Sequence, residues 1–116
     1  MPIMKNRFCR TVLLSSLIAL MLGASAANAM DDDEAKALLK KNNCLKCHAL
    51  DKKKDGPSYK EIAEKQRGKA DAEAKVYKHV TTFNKVKIKD KEEDHEPLKT
   101  KDEAEIKGLV QWILSR

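Results

Sequence analysis

Apolar positions recur at helical spacing in several stretches of this chain and switch to strict alternation in one. Ala35, Leu38, Leu39 and Asn42 share one face of a helix expected over Asp32–Lys41, whose amino end carries Asp31, Asp32, Asp33 and Glu34 where negative charge is favoured. Ser58-Tyr59-Lys60-Glu61 has the spacing of a capping box. It predicts a short second helix that buries Tyr59, Ile62 and Ala63 and stops near Gly68. Asp71 opens a third, with Val76, Tyr77, Val80 and Phe83 on one side and an end close to Thr82. The clearest pattern is the last one: Ile106, Leu109, Val110, Ile113 and Leu114 fall at i, i+3, i+4, i+7 and i+8, after a second capping box at Thr100-Lys101-Asp102-Glu103.

Between the third and last helices the period changes. Lys85-Val86-Lys87-Ile88-Lys89 alternates polar and apolar, Asp90-Lys91-Glu92-Glu93-Asp94 reads as a charged bend, and His95-Glu96-Pro97-Leu98 leads out. An irregular loop or a small hairpin fits this pattern, and Pro97 would confine any second strand there to an edge.

The first 29 residues read differently again. Lys5, Arg7 and Arg10 precede an apolar run from Val12 to Leu22 and small residues ending in Ala27-Asn28-Ala29, the layout of a secretory signal cleaved after Ala29. The apolar run is well short of the ~20 residues a membrane-spanning helix needs. An uncleaved anchor is the alternative. Residues 30–116 then form one domain of 87 residues, small enough to profit from a cofactor at its centre.

Cleavage also changes charge and thiol content. The precursor's net charge of +6 includes three basic residues of the signal, so the mature chain balances 21 basic against 18 acidic groups, a net +3. That mild excess suits either a carrier steered toward acidic partners or a solvated lysine surface, and nothing further points to nucleic acid. Cys9 leaves with the signal, so Cys44 and Cys47 are the mature thiols.

Those two belong to Cys44-Leu45-Lys46-Cys47-His48, the C-x-x-C-H spacing at which two thiols add to haem vinyl groups and the next imidazole binds iron. A bare C-x-x-C also suits a zinc half-site or a redox dithiol. A redox dithiol more naturally sits in a βαβ pattern, and these residues supply none.

The helix before the motif (Glu34-Ala35-Lys36-Ala37-Leu38-Leu39), Asp55-Gly56-Pro57-Ser58-Tyr59 after it, and Ile106-Lys107-Gly108-Leu109-Val110-Gln111-Trp112-Ile113-Leu114 at the end together resemble the short class I bacterial cytochromes c of the c-551/c-552 type. The resemblance implies an all-α fold of four to five short helices around one haem c, held covalently by Cys44 and Cys47 with His48 on the iron. It also implies that the Pro57 carbonyl accepts a hydrogen bond from His48, or that Pro57 serves only as a turn residue. Gly108 would sit where the first and last helices cross, or be an ordinary helix glycine. Tyr59, Ile62 and Trp112, with Val80, Leu109 and Ile113, would line the pocket. A periplasmic electron carrier follows, monomeric and not an enzyme, working with redox partner proteins. Lys52, Lys53 and Lys54, closely following the motif, suit either a basic rim for partners with an acidic docking surface or a plain solubilising loop.

One feature departs from that family. Its usual sixth ligand is a methionine before the last helix, whereas this chain's methionines are Met1, Met4, Met21 and Met30. His95-Glu96-Pro97 stands at the corresponding place, which makes His95 the candidate sixth ligand and a low-potential, His/His cytochrome the expectation. An exposed loop histidine is the alternative, with His79, Lys85 or Lys87 as substitutes or an open sixth site. A displaceable His95 would instead suit a sensor of NO, CO or O2.

Overall fold

The computed structural model describes residues 29–116, so the signal expected over 1–29 lies, except for Ala29, outside the described residues. Four helices and one hairpin follow in the order α1 (Asp32–Lys41), α2 (Tyr59–Gln66), α3 (Ala72–Thr81), β1 (Asn84–Ile88), β2 (Lys91–His95) and α4 (Glu103–Leu114), with a 3-10 turn at Cys44–Lys46 between α1 and α2. Among the described residues no helix is long and apolar enough to cross a membrane.

Helix α4 organises the core, since α1, α2 and α3 all pack against it. Its Ile106, Leu109, Val110, Trp112 and Ile113 are buried with Ala35, Leu38 and Leu39 of α1, Tyr59 of α2 and Val76 of α3. Each large apolar side chain so buried contributes about 1.5–3 kcal/mol before chain entropy is counted, which makes α4 the largest single contributor. At its carboxyl end the Trp112 indole donates to Asp32 Oδ1 at 2.8 Å, Arg116 donates to the same oxygen at 3.0 Å, and the guanidinium lies 4.3 Å from the Trp112 ring centre. The start of α1 is thereby fastened to the end of the chain.

Local chemistry sets the helix limits. Asp31 caps α1 through the Glu34 amide, and Asn43, with φ of 58°, takes the left-handed conformation just beyond its carboxyl end. Ser58 and Glu61 form the expected capping box of α2, which ends at Gln66, with Gly68 at φ +76°. The second capping box is different from expectation. Asp102, not Thr100, caps α4, accepting from the amides of Ala104 and Glu105, while Thr100 Oγ1 accepts from the Asp102 amide and shapes the approach. A carboxylate two residues closer to the helix outcompetes the hydroxyl.

Phe83 also departs from its expected place on the α3 face. The helix ends at Thr81, and Phe83 is 55% exposed. The chain is already entering β1 there, so the helical register no longer applies.

Residues 84–95 form an antiparallel hairpin, and the run expected to be a bend is its second strand. The register pairs Lys85 with Asp94 and Lys87 with Glu92, so opposite charges face each other across the ladder. Lys89 and Asp90, with φ of 49° and 66°, make the two-residue turn of the mirror-image type that suits strand twist. Pro97 falls two residues beyond β2 and leaves the ladder intact.

Gly108 is buried, yet its surroundings do not demand glycine. An added Cβ would meet Met30 Cβ at 3.5 Å and Met30 Cε at 3.7 Å, ordinary van der Waals distances. The residue lying on it precedes α1, and the Met30 amide donates to the Gly108 carbonyl at 3.4 Å.

Candidate functional site

The 3-10 turn explains why two cysteines three apart act together. Side chains at i and i+3 eclipse in a 3-10 turn, so Cys44 and Cys47 project to one side, both half-buried and both free thiols. The amides of Cys47 and His48 both donate to the Cys44 carbonyl, at 3.2 and 3.0 Å, which closes the turn and sets His48 directly after it.

The following loop folds back along the turn and fixes the His48 ring. The Gly56 amide donates to the Cys47 carbonyl at 2.8 Å, and His48 Nδ1 lies 2.6 Å from the Pro57 carbonyl. A carbonyl oxygen can only accept, so Nδ1 carries the proton and Nε2 keeps its lone pair for a metal. Gly56 is the residue that sequence reasoning passed over as part of a motif. A Cβ there would stand 2.8 Å from His48 Cε1 and 3.0 Å from Nδ1, so only hydrogen leaves room for the imidazole.

Tyr59 covers the other side, its ring centre 5.4 Å from that of His48 and 5.6 Å from that of Trp112. Burial pushes its phenol pKa up and keeps it neutral. Of the expected pocket residues, Tyr59 therefore meets His48 directly. Trp112 stands behind it with its indole nitrogen committed to Asp32, and Ile62 and Val80 are half-buried at the core's margin.

His95 closes β2 and comes within 6.4 Å of His48, ring centre to ring centre. Three anchors hold this segment: Leu98 is buried, its amide donates to the Val80 carbonyl at 2.8 Å, and the Lys99 amide donates to Asn42 Oδ1 at 2.9 Å. Asn42 in turn donates to Leu38, so the end of α1 holds the strand carrying His95. Burial first, then the nearby His48, lower the His95 pKa and favour its neutral form. Its Nδ1 is buried with no hydrogen-bond partner.

His79, the substitute ligand named from the sequence, is exposed on α3, yet its ring centre lies 4.1 Å from that of His95. Residues sixteen apart in sequence gave no sign of this contact. Two imidazoles bonded to opposite sides of one metal at about 2 Å hold their ring centres roughly 6 Å apart. The separation of His48 and His95 fits that requirement, and that of His79 and His95 does not. With eclipsed thiols, an oriented His48 and an orphaned nitrogen on His95, the residues present suit a covalently held haem.

A four-helix domain carrying two thiols and an imidazole on one turn, closed by a loop that bears a second imidazole, defines a class I, single-haem c-type protein. The chain belongs to the cytochrome c family, whose model matches residues 26–116, and it binds one haem c, with iron, through Cys44 and Cys47. Members of this family are electron carriers rather than enzymes. It is similar to cytochrome c-551 of Pseudomonas aeruginosa, 41% identical over 68 residues that make up 59% of this chain and 62% of that one. It is also similar to cytochrome c-551 of Azotobacter vinelandii, 37% identical over 67% of this chain and 92% of that one. Among solved structures, the class 1 cytochrome MtoD from Sideroxydans lithotrophicus ES-1 superposes with a TM-score of 0.68 at 59% identity, covering 75% of this chain and 97% of that one. Cytochrome c552 of Nitrosomonas europaea gives 0.55 at 31% identity, covering 69% and 96%.

Proposed function

We propose that this protein is an exported, periplasmic electron carrier of low potential whose haem iron is held between His48 and His95. The observation that carries the ligand assignment is the 6.4 Å separation of the two rings, combined with the unpartnered buried nitrogen of His95. The signal-like pattern of residues 1–29 supports export.

When bound, the haem supplies a one-electron iron couple. The protein's part is to hold that couple still and dry. Cys44 and Cys47 fix it to the turn, and Pro57 orients His48 and strengthens its donation through Nδ1. Tyr59, which packs on His48, and Leu109 and Ile113 of the core are buried and help to keep water out. A second imidazole, a stronger donor to ferric iron than a thioether, stabilises the oxidised state and lowers the potential. Partners are other redox proteins, met through the lysine-bearing loop at residues 52–54, which is exposed beside the attachment turn.

Near-infrared and low-temperature paramagnetic resonance spectra of the oxidised protein test the ligand set and are expected to report paired imidazoles. His95→Met is expected to raise the midpoint potential. An unchanged spectrum and midpoint in that variant would remove His95 from the iron. Reduced wild-type protein is expected to resist carbon monoxide, and rapid stoichiometric binding would overturn the carrier reading.

A further inference from the structure

Lys52, Lys53 and Lys54 are equivalent by composition and exposed alike, yet the structure treats one of them differently. The Lys54 ammonium donates to the Leu45 carbonyl at 2.8 Å, inside the 3-10 turn and between the two attachment cysteines. Two further bonds join the same pair of segments, one from the loop, Gly56 amide to Cys47 carbonyl, and one in the opposite sense, His48 Nδ1 to Pro57 carbonyl. Loop and turn are thus laced at Leu45, Cys47 and His48 in succession, and Lys54 supplies the outermost tie. Its own amide donates to the Gly56 carbonyl at 3.1 Å, which bends the loop so that the side chain points back to the turn.

We propose that Lys54 is a positioning residue that pins the haem-attachment turn and fixes one positive charge beside the cofactor's edge, raising its reduction potential. The inference rests on the haem being held at Cys44 and Cys47. With a haem held at Cys44 and Cys47, a carbonyl oxygen on the turn between those thiols would bring partial negative charge near the group and favour its oxidised, more positive state. An ammonium on that oxygen offsets the field and favours the reduced state. Lys52 and Lys53 are exposed and make no side-chain hydrogen bond or ion pair among the described residues, so their influence is largely screened by water and salt. A tethered charge is screened less. The tie also opposes opening of the loop, because a hydrogen bond to a charged group is stronger than a neutral one.

Four variants of the haem-bearing protein test this: Lys54→Met, Lys54→Arg, Lys52→Met and Lys53→Met. Lys54→Met is expected to lower the midpoint potential and to speed amide exchange at Gly56 by about fivefold, the loss of one modest hydrogen bond. Lys54→Arg is expected to restore both, and the other two variants to leave both unchanged. Equal shifts from all three methionine variants would reduce the effect to net charge and overturn the proposal, as would a Lys54→Met protein with wild-type potential and exchange. Failure of the His/His carrier reading shows separately, in the spectra and reversibility of the wild type, while the fate of Lys54 is read from differences among variants.

Discussion

Gly56→Ala perturbs the molecule by a single methyl group, and the structure says where it goes. The added carbon would stand 2.8 Å from His48 Cε1 and 3.0 Å from Nδ1. Carbon pairs rest at about 3.5–4.0 Å, so the imidazole must retreat by roughly 0.7 Å or more. Its Nδ1 is 2.6 Å from the Pro57 carbonyl, and a retreat of that size stretches or breaks the bond. Overpacking costs about 1–3 kcal/mol, and the weakened hydrogen bond adds roughly 1 kcal/mol, for a total of about 2–4 kcal/mol. With a urea slope of about 2 kcal/mol/M, the unfolding midpoint of the haem-bearing protein falls by roughly 1–2 M. The ligand set responds too: an imidazole with a weaker second bond donates less to ferric iron, so the redox midpoint rises. Gly68→Ala is the matched control. Gly68 has φ of +76° and no neighbour within 4 Å, so its substitution costs backbone strain alone and leaves the redox midpoint where it was. A Gly56→Ala protein with unchanged urea and redox midpoints would refute the steric account of His48 orientation.

Two further outcomes follow from the packing. Gly108→Ala meets Met30 only at ordinary contact distance and replaces a poor helix former, so it should raise stability by up to about 1 kcal/mol in urea titration; a loss would contradict the ordinary packing of Met30 on Gly108. At Asp32 the Trp112 indole bond and then the Arg116 charge hold the carboxyl below its usual range. A lowered folded pKa contributes stability that is fully present above about pH 4 and is lost as pH falls through the folded value. The urea midpoint of the wild type should therefore exceed that of Asp32→Asn at neutral pH and converge on it in acid, and a gap independent of pH would contradict the assignment.

The helices were legible because their signals are local. Ala35, Leu38 and Leu39 mark the buried side of α1, and the apolar ladder from Ile106 to Leu114 marks α4, each within a dozen residues. Cys44, Cys47 and His48 were legible for the same reason, since one turn contains them. The hairpin was half-read because a run such as Lys91-Glu92-Glu93-Asp94 has no strand signature of its own. Its partner supplies one, and folding the sequence about Lys89-Asp90 sets Lys85 and Lys87 against Asp94 and Glu92. That charge symmetry was the available clue. Gly56 looked like a turn glycine, and its real reason, the imidazole eight residues back in the chain, belongs to tertiary structure. The same holds for Asn42, read as one more position on a helix face, whose amide spans 57 residues to hold Lys99. His79 meeting His95 is likewise a product of the hairpin's return path.

The two histidines hang from unlike materials. His48 is stitched into covalent and backbone connections next to an apolar interior, whereas His95 rides the end of a ribbon in which two of the five cross-strand pairs set lysine against carboxylate, with Lys85 and Asp94 3.1 Å apart and both more than half open to water. Added salt weakens such rungs and leaves oily contacts intact or firmer. If His95 binds the iron as proposed, ionic strength would pull on that side of the metal and spare the other, giving the grip on the iron a built-in sensitivity to the salinity around it.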